Sequence, residues 1–240
     1  MIFTGFITGL RISAAASAII MYLSPLFMVR KIKVAQNTQP HSYWPVLAAF
    51  GNAFLWAFYG FKKGDILPLF TTNAVGMLLN AYYCSVFWAY EKRRCRLLCS
   101  FAAMGVALTV IVWETLIAKD EAAAVENLGF IGMVFCIGMF AAPLSTIRAV
   151  FRSKSVKSLP FSIIIANFLT TLLWTLYGLV KDNVYVYGPN GTGMALAVFQ
   201  ICIYRKFRSN SSRVNTRLEL ANPFAGDDED ENNYKKLLKV

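Results

Sequence analysis

Leu55–Gly60 reads LWAFYG, and Leu173–Gly178 reads LWTLYG, the same phrase 118 residues later. Other landmarks keep that spacing. Ser24-Pro25-Leu26 matches Ala142-Pro143-Leu144 at 118, Pro45 matches Pro160 at 115, and Asn73 with Gly76 matches Asn190 with Gly193 at 117. Landmarks in one order at a nearly constant offset mark an internal duplication. Each copy covers three apolar stretches, and a further stretch between the copies has no counterpart.

The seven stretches lie at roughly 6–29, 43–61, 66–90, 97–118, 128–151, 160–180 and 184–204. Each is near the ~20 residues that a helix rising ~1.5 Å per residue needs to cross the hydrocarbon of a bilayer. Composition agrees. Apolar residues make up 57% of the 240, and charged residues only 15%, against about 25% in soluble domains. Mean hydropathy is +0.49. A soluble domain, a coiled coil and a disordered chain are excluded for most of the length. Lipid offers backbone groups no hydrogen-bond partner, so the spans are expected as helices. The expected fold class is an all-α membrane protein of seven transmembrane helices, with two parallel three-helix bundles joined by a linker helix. The expected boundaries are 1–94 for the first repeat, 95–127 for the linker, 128–207 for the second repeat and 208–240 for a disordered tail. Three spans reverse the chain and the linker restores its direction. Both repeats then enter the membrane from the same side and enclose a central cavity.

A net charge of +11 suggests nucleic acid until the charges are located. Arg30, Lys31 and Lys33 follow span 1; Lys92, Arg93, Arg94 and Arg96 follow span 3; Arg148, Arg152, Lys154 and Lys157 follow span 5. Eight more lie in the tail, which places nineteen of the 24 basic residues on one side. Lys62, Lys63, Lys119 and Lys181 face the other. The positive-inside rule predicts an outside or luminal N-terminus and a cytosolic C-terminus. A plasma-membrane location is expected, with an internal membrane as the alternative, and no nucleic-acid partner. A cleaved signal peptide is not expected, because the first basic residue, Arg11, already lies inside span 1. Cys84, Cys95, Cys99, Cys136 and Cys202 lack metal-ligand spacing and are expected in helix packing. No metal, cofactor or catalytic group is expected.

The punctuation resembles that of the SWEET sugar transporters, the MtN3/saliva family within the PQ-loop group. The resemblance covers about residues 5–207. In the first repeat it rests on Leu23–Pro25 (LSP), Pro45, Leu55–Gly60 (LWAFYG) and Thr71–Asn73 (TTN). In the second it rests on Ala142–Leu144 (APL), Arg152–Ser155 (RSKS), Leu159–Pro160 (LP), Leu173–Gly178 (LWTLYG) and Gly188–Gly193 (GPNGTG). Departures are AQNTQP at Ala35–Pro40 and Val46 after the second-span proline. Parallel repeats about an axis along the membrane normal are a known property of SWEETs. The resemblance implies a facilitative, bidirectional carrier of mono- or disaccharides working by alternating access.

A sugar is neutral, rich in hydroxyls and apolar on parts of its ring faces. Its site calls for amides and an aromatic wall, not a buried charge. Asn73 and Asn190, repeat-related and within the third helix of each repeat, are the first candidates; the alternative is a hydrogen bond between helices. Trp56 and Trp174 are the second pair, either walls of a cavity or anchors at the membrane interface. Asn52 and Thr170 lie one helical turn before each tryptophan and share its face. Met21 and Met139, one turn before Pro25 and Pro143, are placed either in the cavity or in the core. Pro25, Pro45, Pro143 and Pro160 are expected to break helices at matching places, as hinges or as plain packing kinks. The resemblance implies a proline tetrad near the cytosolic half, and implies that Tyr59 and Asp182 close an outer gate.

Apart from Arg148 at the basic end of span 5, only Arg11 and Glu114 are charged within the spans, and the sole histidine is His41 beside a loop. No P-loop appears. These absences favour uniport of a neutral solute over the alternative, a proton-coupled PQ-loop exporter of amino-acid or cystine type. A seven-span receptor and a membrane enzyme fit less well. Expected partners are a small sugar and the lipid bilayer. Candidate protein partners are a second copy of the chain and a trafficking adaptor at Asn222-Pro223-Phe224, which precedes an acidic run. The sequons at Asn190 and Asn210 are expected to be unmodified, one in the cavity and one in the cytosol.

Overall fold

A computed structural model describes residues 2–156 and 159–221, with side chains for 5–156 and 159–208. The described residues form seven helical rods. The first is α1 (Ile2–Leu23) continued by α2 (Leu26–Ala35). The second is α3 (Trp44–Lys62), and the third is a π-helical turn (Ile66–Phe70) running into α4 (Thr71–Tyr90). The linker is α5 (Arg94–Ile117). The fifth rod is α6 (Glu121–Gly138) with α7 (Ala141–Ser153), the sixth α8 (Phe161–Val180) and the seventh α9 (Val184–Ala221). Gly5–Ala35, Arg94–Ile117, Glu121–Ser153 and Phe161–Val180 are long and apolar enough to cross a membrane. Rods two, three and seven turn polar or small residues inward, among them Asn73, Asn80 and Gln200. Outward-facing Phe27, Val106, Trp113, Phe130 and Leu169 are exposed, an apolar coat suited to lipid rather than water.

The chain turns twice in the same way. After Gly60 and again after Gly178 the helix ends in a tight reversal, with Lys63 N–H donating to the Tyr59 carbonyl (2.8 Å) and Lys181 N–H to that of Tyr177 (3.0 Å). Gly64 (φ 71°) and Asp182 (φ 48°) hold the left-handed position of each reversal. A Cβ on Gly60 would fall 2.8 Å from the Phe70 nitrogen, and one on Gly178 would fall 2.6 Å from that of Tyr187. Only glycine admits that approach of one backbone to the next. The inner ends match too: α2 and α7 stop at left-handed Gln36 (φ 51°) and Lys154 (φ 54°), 118 residues apart.

Prolines act differently from the expectation of four mid-helix kinks. Pro25 sits at the α1/α2 break, and the corresponding break at Met139–Phe140 lies just before Pro143 in the first turn of α7. Pro45 and Pro160 stand at the starts of α3 and α8. The first-turn N–H groups of a helix have no partner within it, so a proline there costs no hydrogen bond. The last rod also differs from expectation. It continues to Ala221, past the expected boundary at 208, and no proline or glycine lies between Gly193 and Pro223 to stop it. The Asn222-Pro223-Phe224 motif lies outside the described residues.

Packing divides the molecule lengthwise. At the end carrying Tyr59 and Tyr177 one apolar cluster joins both repeats, through Leu10, Leu55, Trp56, Leu128, Trp174 and Val186. Here α1 packs on α8, and α3 on α6. At the opposite, arginine-rich end the repeats keep separate cores. One gathers Val29, Ile32, Tyr83 and Phe87; the other gathers Ile147, Val150, Ile164 and Phe207.

Glu91, which follows α4, stitches the arginine-rich end of the first repeat. Its carboxylate accepts from Arg93 N–H (2.9 Å) and from the Thr38 hydroxyl (2.8 Å). The Arg93 bond chiefly lowers its pKa below the ordinary glutamate value, opposed by desolvation and aided by Thr38. A depressed carboxylate contributes stability above its unfolded pKa, about 4.3, and loses it as pH falls through the folded value. The melting temperature of the detergent-purified protein should therefore exceed that of Glu91→Gln by a constant margin from pH 7 to about 5, and the margin should close in more acid solution. Equal melting temperatures at neutral pH would remove the stitch.

Candidate substrate cavity

The shared cluster ends in a cavity of about 210 Å³ between the repeats. It is lined by Ala18, Met21, Tyr22, Asn52, Trp56, Leu69, Asn73, Cys136, Asn167, Thr170, Trp174, Val186 and Asn190. All six residues expected to meet a substrate are thus brought to one place. Most of the lining is also paired by the repeat: Ala18 with Cys136, Asn52 with Thr170, Trp56 with Trp174, Leu69 with Val186, and Asn73 with Asn190. None of the lining residues is charged.

The amides are held by their own helices. Asn73 Nδ2 donates to the Leu69 carbonyl and Asn190 Nδ2 to that of Val186, each at 2.8 Å. This satisfies one amide hydrogen and fixes which face of each amide looks into the cavity. Asn73 Oδ1 also accepts from the Tyr22 hydroxyl at 2.8 Å. Asn52 Oδ1 accepts from Trp56 Nε1 at 3.2 Å, so Asn52 orients the indole one turn away. Trp56 and Trp174 are each only 6% exposed. They lie at the cavity rather than at a lipid interface.

The tryptophans connect the cavity to its closed end. Trp56 stands edge-to-face on Tyr59 and Trp174 on Tyr177, with ring centroids 5.7 Å apart in both pairs. Each tyrosine then reaches across the repeat boundary. The Tyr59 hydroxyl exchanges hydrogen bonds with the Asn183 amide (3.0 and 3.2 Å), and the Tyr177 hydroxyl donates to the Asp65 carboxylate. Asp182, the expected partner of Tyr59, is not in this latch. It occupies the left-handed turn position that Gly64 takes in the first repeat, and its side chain is exposed. The next residue, Asn183, takes the bond, as its repeat mate Asp65 does for Tyr177.

The prolines line no part of the cavity, and Met139 sits at the α6/α7 break while Met21 faces the cavity. Sequence reasoning missed Tyr22, Asn167 and Cys136. Asn167 could have been found as a lone amide within the apolar run Phe161–Phe168. Cys136 could have been found by applying the repeat offset to Ala18. Tyr22 left no such mark, because its repeat position carries Phe140.

A family model described as a sugar efflux transporter for intercellular exchange matches residues 8–95 and 126–212, leaving the linker helix between the two matches. The chain belongs to the SWEET family. It is similar to the bidirectional sugar transporter SWEET15 of Oryza sativa subsp. indica, at 33% identity over 200 residues, 82% of this chain and 63% of that protein. Bidirectional sugar transporter SWEET2a of Sorghum bicolor is 30% identical over 208 residues, 85% of this chain and 86% of its own. Sugar transporter SWEET1 of Danio rerio is 30% identical over 185 residues, 77% of this chain and 84% of its own. The fold matches the 3.7 Å structure of a eukaryotic SWEET transporter with a TM-score of 0.78 at 24% identity, over 87% of this chain and 100% of that one. The seven-helix, two-repeat architecture is that of SWEET membrane transporters.

The cross-repeat latch is open to test through Cys136. In a background where the other cysteines are serine, Tyr59→Phe/Tyr177→Phe should speed labelling of Cys136 by an impermeant maleimide applied at the tyrosine end. Removing two hydrogen bonds at about 1 kcal/mol each corresponds to roughly tenfold or more. An unchanged rate would show that packing alone keeps that end shut.

Proposed function

We propose that this chain is a facilitative, bidirectional sugar transporter that moves mono- or disaccharides by alternating access. The carrying observation is the uncharged cavity between the repeats, bounded by two indoles and furnished with repeat-paired amides. Such a cavity offers a neutral polyol hydrogen bonds and apolar ring contact, with no ionic site for a charged solute. A proton-coupled amino-acid carrier needs a titratable group where the solute binds, and the lining supplies no carboxylate or imidazole. Transport, rather than chemical conversion of the sugar, is the activity we assign.

The two ends of the bundle support the alternating-access reading. One end is joined by a common core and the tyrosine latches; at the other the repeats pack only within themselves. This is what a carrier open toward its arginine-rich side would present. The breaks at Pro25 and Met139–Phe140 then serve as hinges by which α2 and α7 swing together, with Pro45 and Pro160 at the helix starts that flank them. Closing that end while the tyrosine end parts would move the cavity from one face of the membrane to the other.

On this reading Asn73, Asn190, Trp56, Trp174, Asn52 and Thr170 contact the sugar. Residues 1–94 and 128–207 are the moving units, and 95–127 ties them together. The basic end faces the cytosol and the N-terminus lies outside, in the plasma membrane. Localisation tests this membrane against an internal one, crosslinking tests a homo-oligomer, and tail deletion tests a trafficking adaptor at Asn222-Pro223-Phe224.

Labelled glucose uptake into transport-deficient cells tests the assignment. Asn73→Ala or Asn190→Ala should each cut uptake at least about tenfold, the scale of one buried hydrogen bond withdrawn from a substrate hydroxyl, with the amount of protein in the membrane unchanged. Undiminished uptake in both would sink the pocket assignment. A protonophore should leave equilibrative flux intact; its collapse would replace uniport by proton coupling.

A further inference from the structure

The repeat makes the cavity nearly two-fold, and two hydrogen bonds break that symmetry. In the first repeat Asn73 Oδ1 accepts the Tyr22 hydroxyl at 2.8 Å, and Asn52 Oδ1 accepts Trp56 Nε1 at 3.2 Å. In the second repeat the same two places carry Phe140 and Thr170. Phenylalanine has no hydroxyl to give, and threonine is too short to copy the amide bond to the indole. Among the described residues, Asn190 Oδ1 and Trp174 Nε1 have no protein partner.

The rings at 22 and 140 occupy equivalent seats. Tyr22 lies over Gly76, where any Cβ would overlap its ring, and a Cβ on Gly193 would fall 3.1 Å from Phe140 Cζ. Gly76 and Gly193 each follow the cavity asparagine by three residues, one turn along the helix. Each ring thus stands against the glycine that follows the cavity asparagine by one turn, and only the ring at 22 carries a hydroxyl. Neither amide can compensate by flipping. Each must keep Nδ2 toward the carbonyl four residues back, because Oδ1 in that place would face another acceptor.

We propose that the two halves of the cavity play unequal parts. Tyr22 is a positioning residue that takes one of the two lone pairs of the Asn73 carbonyl, as Trp56 does for Asn52, so that these two amides face a solute chiefly with their hydrogens. Phe140 leaves the carbonyl of Asn190 as the acceptor for a sugar hydroxyl. The first repeat is then a donor face. The second supplies the acceptor, with Trp174 Nε1 beside it, and a sugar is held in one orientation rather than two. The proposal rests on the transport reading above.

Exchanging the single oxygen tests it. Phe140→Tyr should occupy Asn190 and raise the glucose KM about tenfold, the scale of one acceptor removed. Tyr22→Phe should free Asn73 and lower the KM by about threefold. The exchange variant Tyr22→Phe/Phe140→Tyr should return the KM toward that of the unmutated protein. Shifts of opposite sign with rescue by exchange are not what loss of packing produces. If both single variants raise the KM and the double variant compounds them, or if Phe140→Tyr leaves it unchanged, the asymmetry is overturned. Should Phe140→Tyr fail to reach the membrane, glucose-dependent thermal stabilisation of purified Tyr22→Phe decides. More stabilisation than in the unmutated protein upholds the proposal, and equal or less overturns it. An unmutated protein that moves no labelled sugar overturns the transport reading itself; a transporting one with the wrong pattern of shifts overturns the asymmetry alone.

Discussion

Amide groups within a membrane-spanning bundle must find hydrogen-bond partners without water, and the rest of this structure is arranged around that constraint. Asn73, Asn80 and Asn190 each solve it locally, returning an amide hydrogen to a carbonyl one turn back. A carbonyl oxygen has a second lone pair, so the helix keeps its own ladder. The remaining polar atoms can then face the cavity at little cost to folding. A cavity built this way is polar without being charged, which suits a neutral solute that must enter and leave.

The same economy links binding surface to closure. Each indole that walls the cavity is packed edge-to-face on the tyrosine that bridges the repeats. The spacing from tryptophan to tyrosine is three residues on one helix, which makes the two rings neighbours on one face. The wall of the cavity and the bridge between the repeats are therefore in direct contact, twice over. The phrase that recurs at Leu55–Gly60 and Leu173–Gly178 therefore contains three connected parts: a wall, a bridge, and a glycine that lets the next backbone approach.

Much of this was legible in the sequence because duplication writes each constraint twice. The paired Trp56/Trp174 and Asn73/Asn190 stand out from their apolar surroundings, and the structure brings them to one cavity. What was not legible breaks the pairing or depends on backbone sign. Tyr22 bonds Asn73 across 51 residues, and its mate Phe140 cannot do the same. Asp182 looked like the partner of Tyr59, yet the turn needs a left-handed residue there, as Gly64 shows in the other repeat. The acid that does bridge, Asp65, pairs with Tyr177 instead. Helix ends were misjudged for a related reason: hydropathy marks where a chain becomes polar, and α9 stays helical well past that point.

A duplicated carrier faces a conflict between symmetry and selectivity. Moving the cavity between two faces of a membrane is simplest when both repeats swing alike, and the matching turns, breaks and caps here serve that end. Holding a chiral solute in one orientation needs the opposite, because a two-fold cavity offers two equivalent poses and selects neither. At the cavity the repeats differ at Asn52/Thr170 and at the neighbouring Tyr22/Phe140, while Trp56/Trp174 and Asn73/Asn190 stay matched. The matched indoles and amides give the cavity its two-fold frame, and only the unmatched pairs distinguish one pose of a solute from the other.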